Sequence, residues 1–466
     1  MPKVNIGHDE LAGPTGPKQE GGRRHWALGE LSLVEHALCP LDVRSTAGPL
    51  LHRTSYWYFD KHRNRKKATA SVKAVDGLSA NDELYLWGIL GIIFSQPEPG
   101  PNLFATRNYI LRRLGFSVGG ANYVTLRGAL DRLAGAKYRN DKFYDPIRGE
   151  HRQVAFGFLS YSLPADPKSQ RAWQIAIDPL FYSLLEPLKA HFWFDLEIYR
   201  SLDAASRRLY LILKKVFHHR NVSPRWELRD LAVNVLGYAP SLQPKELRKK
   251  IRECGERLVQ VGVVEPGKEL FHGTGRKTYV QFQRGMAAKQ APRQPVSLPL
   301  RELPIYEQWV AIGVDEPGMG YLKRNYPMPL LQEWADITLA AKEHHGPKFF
   351  DRSMAAFYID NVKAAKSGGR RPPDWWYEFR KREQELTSRQ QQDVSPAKAS
   401  PCRRQFAQWI RCEGRSLFET TFREILDLVA VDGRAREADA TVARRETEAR
   451  LWQEFVARKA IPKINS

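Results

Sequence analysis

Between Asp195 and Gly267 the chain changes pattern in an order that few folds accommodate. A helical segment is followed by a short extended run, two more helices, and then two extended runs joined by a turn. That order describes a winged helix, a helix-turn-helix closed by a β-hairpin, whose last helix is the one that enters a DNA groove. On that last helix Leu247, Ile251, Cys254 and Leu258 recur at helical spacing and form one apolar stripe. Lys245, Arg248, Lys249 and Arg252 project away from it, and Arg276 and Lys277 are further candidate DNA contacts after it. A dry face opposite a cationic face suits phosphate. It equally suits a solvated surface helix, so the rest of the chain has to decide.

The rest of the chain is basic. Its 466 residues hold 73 Lys and Arg against 52 Asp and Glu, a formal charge of +21. Such an excess fits nucleic acid or an anionic membrane surface. The membrane alternative fares badly, because no apolar run approaches the roughly 18 residues needed to span a bilayer. The strongest, Leu84 to Phe94, has the length of a core helix. The N-terminus lacks the layout of a signal peptide. Cys39, Cys254, Cys402 and Cys412 are scattered, without metal spacing or disulfide density, which points to a reducing cytoplasm.

A second region has the same build. Residues 1–27, rich in Gly, Pro and charge, read as a disordered tail. Tyr56–Phe59 and Ala68–Val72 read as strands around a basic turn, Lys61 to Lys67. Ser79 with Asp82 resembles a capping box and starts a helix through Phe94, with Leu84, Trp87, Leu90 and Ile93 as core. A second helix spans Thr106 to Leu114, stopped by Gly115. A third follows Gly119-Gly120, with Tyr123, Leu126, Leu130 and Leu133 buried and Thr125 and Arg132 on the other side. Extended stretches follow at Lys137–Tyr144, Val154–Leu163 and Trp173–Ile177. The expected fold class is α+β, mainly helical with small β-hairpins. It comprises tandem winged helices at 28–190 and 191–290, a helical module at 300–382 and C-terminal helices at 400–466. No sequence period relates the two winged helices, and 287–299, with several Gln and Pro, reads as a linker. Trp309, Leu322, Leu330, Trp334 and Phe357 are the expected core of the helical module.

From Leu180 to Phe217 the chain resembles the replication initiator protein A family of bacterial plasmids. The resemblance rests on Asp195, Tyr199 and Leu202 on one helix, then Arg208, Leu209, Tyr210 and Leu213 on the next. Leu78 to Asp82, the run Ala129 to Gly135, and less closely Glu30 to His36 follow the same pattern. Order and spacing carry it, over roughly residues 29–285. It implies an initiator with two winged helices that binds repeated duplex origin DNA and recruits host replication proteins. Residues 306–377 resemble a small helical module of some replication and helicase-loading proteins, which makes such proteins the expected partners.

Three motifs resemble catalytic sites without meeting their chemistry. Gly262 to Lys268 approaches a phosphate-binding loop, but Glu269 stands where a hydroxyl must hold Mg²⁺. His218-His219 and His344-His345 lack the residue between that a nicking enzyme's metal site requires. His62 to Arg65 has the His-x-x-Arg form of tyrosine recombinases but sits alone in a basic turn. The expectation is therefore a non-enzymatic DNA-binding protein with no cofactor and no metal. Lys245, Arg248, Lys249 and Arg252 contact DNA in the second unit; Thr125, Arg132 and a basic wing contact it in the first. A winged-helix transcriptional regulator is the alternative, and a homodimer is left open. Residues before 290 are expected to fold and bind DNA by themselves.

Overall fold

The structure, a computed structural model, describes residues 25–393 with gaps at 43–47, 61, 63, 146–147, 167, 188–189, 268–269, 274–277 and 290–297. Beyond 393 it describes 409–410, 415–429, 447 and 451. Small antiparallel sheets alternate with helices as far as Val280, and helices alone follow among the described residues, an α+β architecture.

The chain enters as β1 (Trp26–Glu30) and forms a long hairpin of β2 (Leu50–Phe59) and β3 (Arg65–Ala74). In β3, Ala68, Ala70, Val72 and Ala74 are buried while the residues between them face outward, the period of two that a half-buried strand requires. Helix α1 (Asp82–Phe94) is buried all round, which its nearly unbroken apolar run permits. At its start the Asp82 carboxylate accepts the backbone N–H and the hydroxyl of Ser79, at 2.7 and 2.9 Å. Strand β4 (Asn102–Ala105) leads to α2 (Arg107–Arg113), capped by Thr106, whose hydroxyl accepts the Tyr109 N–H. Helix α3 (Gly120–Ala134) buries Leu126, Ala129, Leu130 and Leu133. Then come β5 (Ala136–Asp145), β6 (Glu150–Gly157), β7 (Leu159–Ser162) and β8 (Trp173–Ile177). The single stretch expected over Val154–Leu163 is two strands. They part at Phe158 and serve different sheets, ordered β2-β3-β5-β6 and β4-β8-β7.

Helix α4 (Pro179–Leu185) and β9 (His191–Asp195) lead into the second unit. There α5 (Leu196–Ser201) and α6 (Ala204–Phe217) are capped by the carboxylates of Asp195 and Asp203. Next are β10 (Trp226–Glu227), a π-helical turn (Asp230–Val235), α7 (Pro244–Gln260), β11 (Phe271–His272) and β12 (Tyr279–Val280). The two units share one topology. In each, a long helix is followed by an edge strand, a short helical turn, a second long helix and a strand pair. The three-stranded sheets are ordered β4-β8-β7 and β10-β12-β11. Even the turn before the last helix matches: Gly115 (φ +74°) and Gly237 (φ +85°) are left-handed, and a Cβ on either would strike an arginine, Arg200 or Arg208. The difference lies in the hairpin β5–β6, inserted between α3 and β7 and extended by β2–β3 into a four-stranded sheet.

One hydrophobic core runs through both units, from Ala27 to Ala288. The boundary expected at 190/191 falls inside shared structure, because β1 pairs antiparallel with β9 from Trp26↔Asp195 to Glu30↔His191. Trp26 and Ala27, assigned to a tail by composition, are therefore strand residues. Deeper in the joint, the Arg208 guanidinium of α6 donates to Glu83 of α1 at 2.5 Å, to the Leu236 carbonyl at 2.8 Å and to the Cys39 thiol at 3.1 Å. Both side chains of the ion pair are 5% exposed. Breaking such a pair one-sidedly typically costs about 3–5 kcal/mol.

The helical module has its own core. It consists of α8 (Tyr306–Ile312), α9 (Glu316–Asn325), α10 (Met328–His345), α11 (Met354–Lys366) and α12 (Asp374–Asp393), so its last helix runs past the expected limit of 382. Trp309, Leu322 and Trp334 are buried as expected, whereas Leu330 and Phe357 are half-buried beside the true core residues Leu331 and Tyr358. Trp376 is core. The reading of 287–299 as linker is shortened, since Ala288 belongs to the first core and Leu298 to the second. Of the C-terminal helices, α13 (Arg415–Val429) is described; Trp409, Ile410 and Phe418 pack on Leu451. The rest of 400–466 lies outside the described residues.

Candidate nucleic-acid interface

Helix α7 is held firmly. Gln243 and Glu246 close a capping box at its N-terminus, and Pro244 supplies the first helical φ. Its stripe of Leu247, Ile251, Cys254 and Leu258 is fully buried in the common core with Val280 and Phe282. Burial pushes the Cys254 thiol pKa up, and the Tyr238 hydroxyl lies 3.5 Å from its sulfur, so this cysteine is packing rather than a nucleophile.

The opposite face carries the cations. Lys245, Lys249 and Arg252 are exposed and have no acidic partner among the described residues. At steps of four and three residues they run along one line of the helix, roughly 10 Å long. Arg248 sits to one side. Its guanidinium donates to the Thr278 hydroxyl at 2.7 Å, and with Arg252 it flanks the Phe271 ring at 5.8 and 5.6 Å. Arg248 thus ties α7 to the β-hairpin and is a positioning cation more than a free one. Lys250, which the sequence reading passed over, lies 5.3 Å over the Tyr238 ring. Phe271 was missed as well; a lone aromatic in a short polar strand carries no periodic signal. Arg276 and Lys277 lie outside the described residues, as do Lys268 and Glu269. The loop containing Gly262 follows a helix and leads into a β-bridge at Val264, whereas a phosphate-binding loop follows a strand and opens a helix.

The first unit presents a different surface. Thr125 is exposed on α3, its hydroxyl donating to the Ala121 carbonyl at 2.9 Å. Arg132 is committed elsewhere: its guanidinium grips the buried Asp82 carboxylate of α1 at 2.7 and 2.8 Å. The expected contact set of the first unit therefore loses its arginine to an internal ion pair. Its wing, the 163–172 loop between β7 and β8, is covered by the helical module. Arg171, 4% exposed, reaches Glu343 of α10 and Glu383 of α12, both at 2.9 Å. The Ala172 N–H donates to the buried Asp336 carboxylate at 3.0 Å. On α2, Arg113 pairs with Glu302 at 3.2 Å, and Arg112 and Thr106 both bond Glu307. Of the basic turn expected at 61–67, Arg65, Lys66 and Lys67 are instead strand residues of β3, paired with β2 in the four-stranded sheet and in neither three-stranded one.

Among the described residues no group of His, Cys, Asp and Glu has the arrangement of a metal site, and no helix is long and apolar enough to cross a membrane. His218 and His219 meet edge-on at 4.5 Å at the end of α6.

No family model matches the chain, and no curated protein matches it. Among the solved structures similar to part of it are two of RctB. A crystal structure of RctB domains 2 and 3 aligns over 55% of this chain and 97% of its own, with a TM-score of 0.36 and 13% identity. A selenomethionine form of the same domains aligns over 54% and 96%, with the same score and identity.

Proposed function

We propose that this protein is a non-enzymatic replication initiator that binds repeated duplex origin DNA with its second winged helix. The observation that carries the proposal is α7: a firmly capped helix, anchored by four buried residues, that turns Lys245, Lys249 and Arg252 to solvent in one line. Resemblance to plasmid initiators supports origin DNA as the target, and the net charge of +21 supports a polyanionic partner. In this reading the lysines neutralise phosphates, Arg252 reaches base edges, and Arg248 fixes the hairpin beside them. The helical module and the chain beyond it serve host replication proteins.

The test is a triple substitution, Lys245→Ala, Lys249→Ala and Arg252→Ala, assayed against duplex fragments of the DNA flanking the gene. Affinity should fall by orders of magnitude with the melting temperature unchanged. The slope of log K against log salt should shrink by about 0.9 for each phosphate contact removed. An unchanged affinity and slope would take α7 out of the interface.

A further inference from the structure

The sheet that distinguishes the first unit from the second has an outer face that the proposed function leaves unused. Strands β2, β3 and β5 place five cations at outward positions: Arg53 on β2, Lys67 and Lys73 on β3, Lys137 and Arg139 on β5. The register concentrates them. Lys73 stands directly opposite Lys137, and Ser71 lies between Arg53 and Arg139 in the next row. Like charges facing each other across a strand pair weaken a sheet, and none of these five is in an ion pair among the described residues. The facing pair of Lys73 and Lys137 costs the sheet stability. A bound polyanion would relieve it.

The face also carries an aromatic. Trp57, 37% exposed, is cross-strand partner to Lys67, with the Arg65 guanidinium 4.2 Å and the Lys67 ammonium 5.1 Å from its rings. From Lys73 to Arg65 the strip runs roughly 27 Å along one strand. Its exposed acid is Asp141, at the bulge between Asn140 and Phe143, where Lys142 is exposed beside it. The hydroxyls of Ser55, Thr69 and Ser71 sit between the cations.

We infer that this sheet face is a binding site for single-stranded nucleic acid, separate from α7. The backbone follows the cations of β3 and β5 while a base stacks at Trp57 and its arginine. In a duplex the bases are already stacked on one another, so a side chain fixed on a strand cannot stack on them unless the helix is kinked. A single strand lies flat and offers each base's π-face.

The experiment uses the full chain and two fluorescent probes, an oligothymidylate about twenty nucleotides long and a blunt duplex of the same length and arbitrary sequence. Replacing Lys73, Lys137 and Arg139 by Thr should lower oligothymidylate affinity at least about tenfold and reduce its salt slope by about 2. Trp57→Ala alone should lower it about fivefold or more. Duplex affinity should change less than about twofold in either variant. The α7 triple variant should bind oligothymidylate as the parent does, which separates failure of this site from failure of the proposed duplex site. Thermal melts check that each variant folds; if the threonine variant does not, Trp57→Ala decides alone. Unchanged oligothymidylate binding in the folded variants overturns the inference. So does an equal loss on both probes, which would make the face a general phosphate surface.

Discussion

In the second winged helix, α7 shows solvent Lys245, Lys249 and Arg252. In the first, the equivalent helix α3 shows Gly120, Ala121, Val124 and Thr125, with Arg127 as its exposed cation and Val124 74% exposed. The hairpin of the second unit pairs Phe271 with arginines of its own helix. The wing of the first buries Arg171 under the acidic side chains of another module. Topology is common to both, and so is the left-handed glycine before the last helix. What differs is what the solvent-facing positions carry. A fold repeated within one chain can therefore divide its labour: one copy keeps a cationic helix, while the other becomes a seat for the helical module.

The comparison depends first on the joint that holds both copies. Replacing Arg208 by Met strands the Glu83 carboxylate in the core and should remove about 3–5 kcal/mol of stability from the two units together. Urea unfolding followed by tryptophan fluorescence measures it, and two separate transitions would mean that the units are not one body. Next, replacing Thr125 and Arg127 of α3 by Ala should change duplex affinity by less than about threefold, against the loss of about a hundredfold or more expected at α7. Equal losses would abolish the distinction between the helices. Third, Arg171→Ala should loosen the helical module and speed limited proteolysis between residues 290 and 297 by about tenfold. Duplex binding through α7 should be unaffected.

The smallest effect concerns acid. His36 lies between the rings of Tyr56 and Tyr138, and burial pushes its pKa from 6.5 down to about 3. Its folded-state value is depressed, so as pH falls from 6.5 toward 3 the unfolded chain takes up the proton and the folded one does not. Its contribution is complete above 6.5 and is lost across that window. Glu30, pushed up to about 7 by burial, acts in the opposite sense, with stability falling as pH rises from 4.5 to 7. The measurement is therefore the difference between the parent and His36→Gln, whose stability should decline less on acidification. An identical decline would place the acid sensitivity elsewhere.

Much of this architecture is legible in the residues. The stripes of α3 and α7, the stop at Gly115 and the strand Trp173–Ile177 are local signals, and local signals survive folding. Four features were not legible. Strand β1 and the short strands β4 and β9 are defined by partners far away in sequence. The shift from Leu330 and Phe357 to Leu331 and Tyr358 reflects two adjacent apolar residues, between which periodicity cannot choose. Arg132 looked free because its partner Asp82 is fifty residues distant and had been read only as a cap. The docking of the helical module is written in scattered pairs, Arg171 with Glu343 and Glu383 and Arg113 with Glu302, and no sequence pattern announces such a surface.

The pairing of β1 with β9 has a consequence for how the protein is made. These strands lie roughly 160 residues apart, so β1 leaves the ribosome long before its partner exists. At about 5–20 residues per second the wait is roughly ten to thirty seconds. During it the edge of β1 that β9 will pair stays open. The first unit is thus nearly complete yet unsealed until the second begins to emerge. A chain stalled or truncated before His191 should be bound by chaperones that hold exposed apolar segments, and one released after Ala288, where the common core ends, should not.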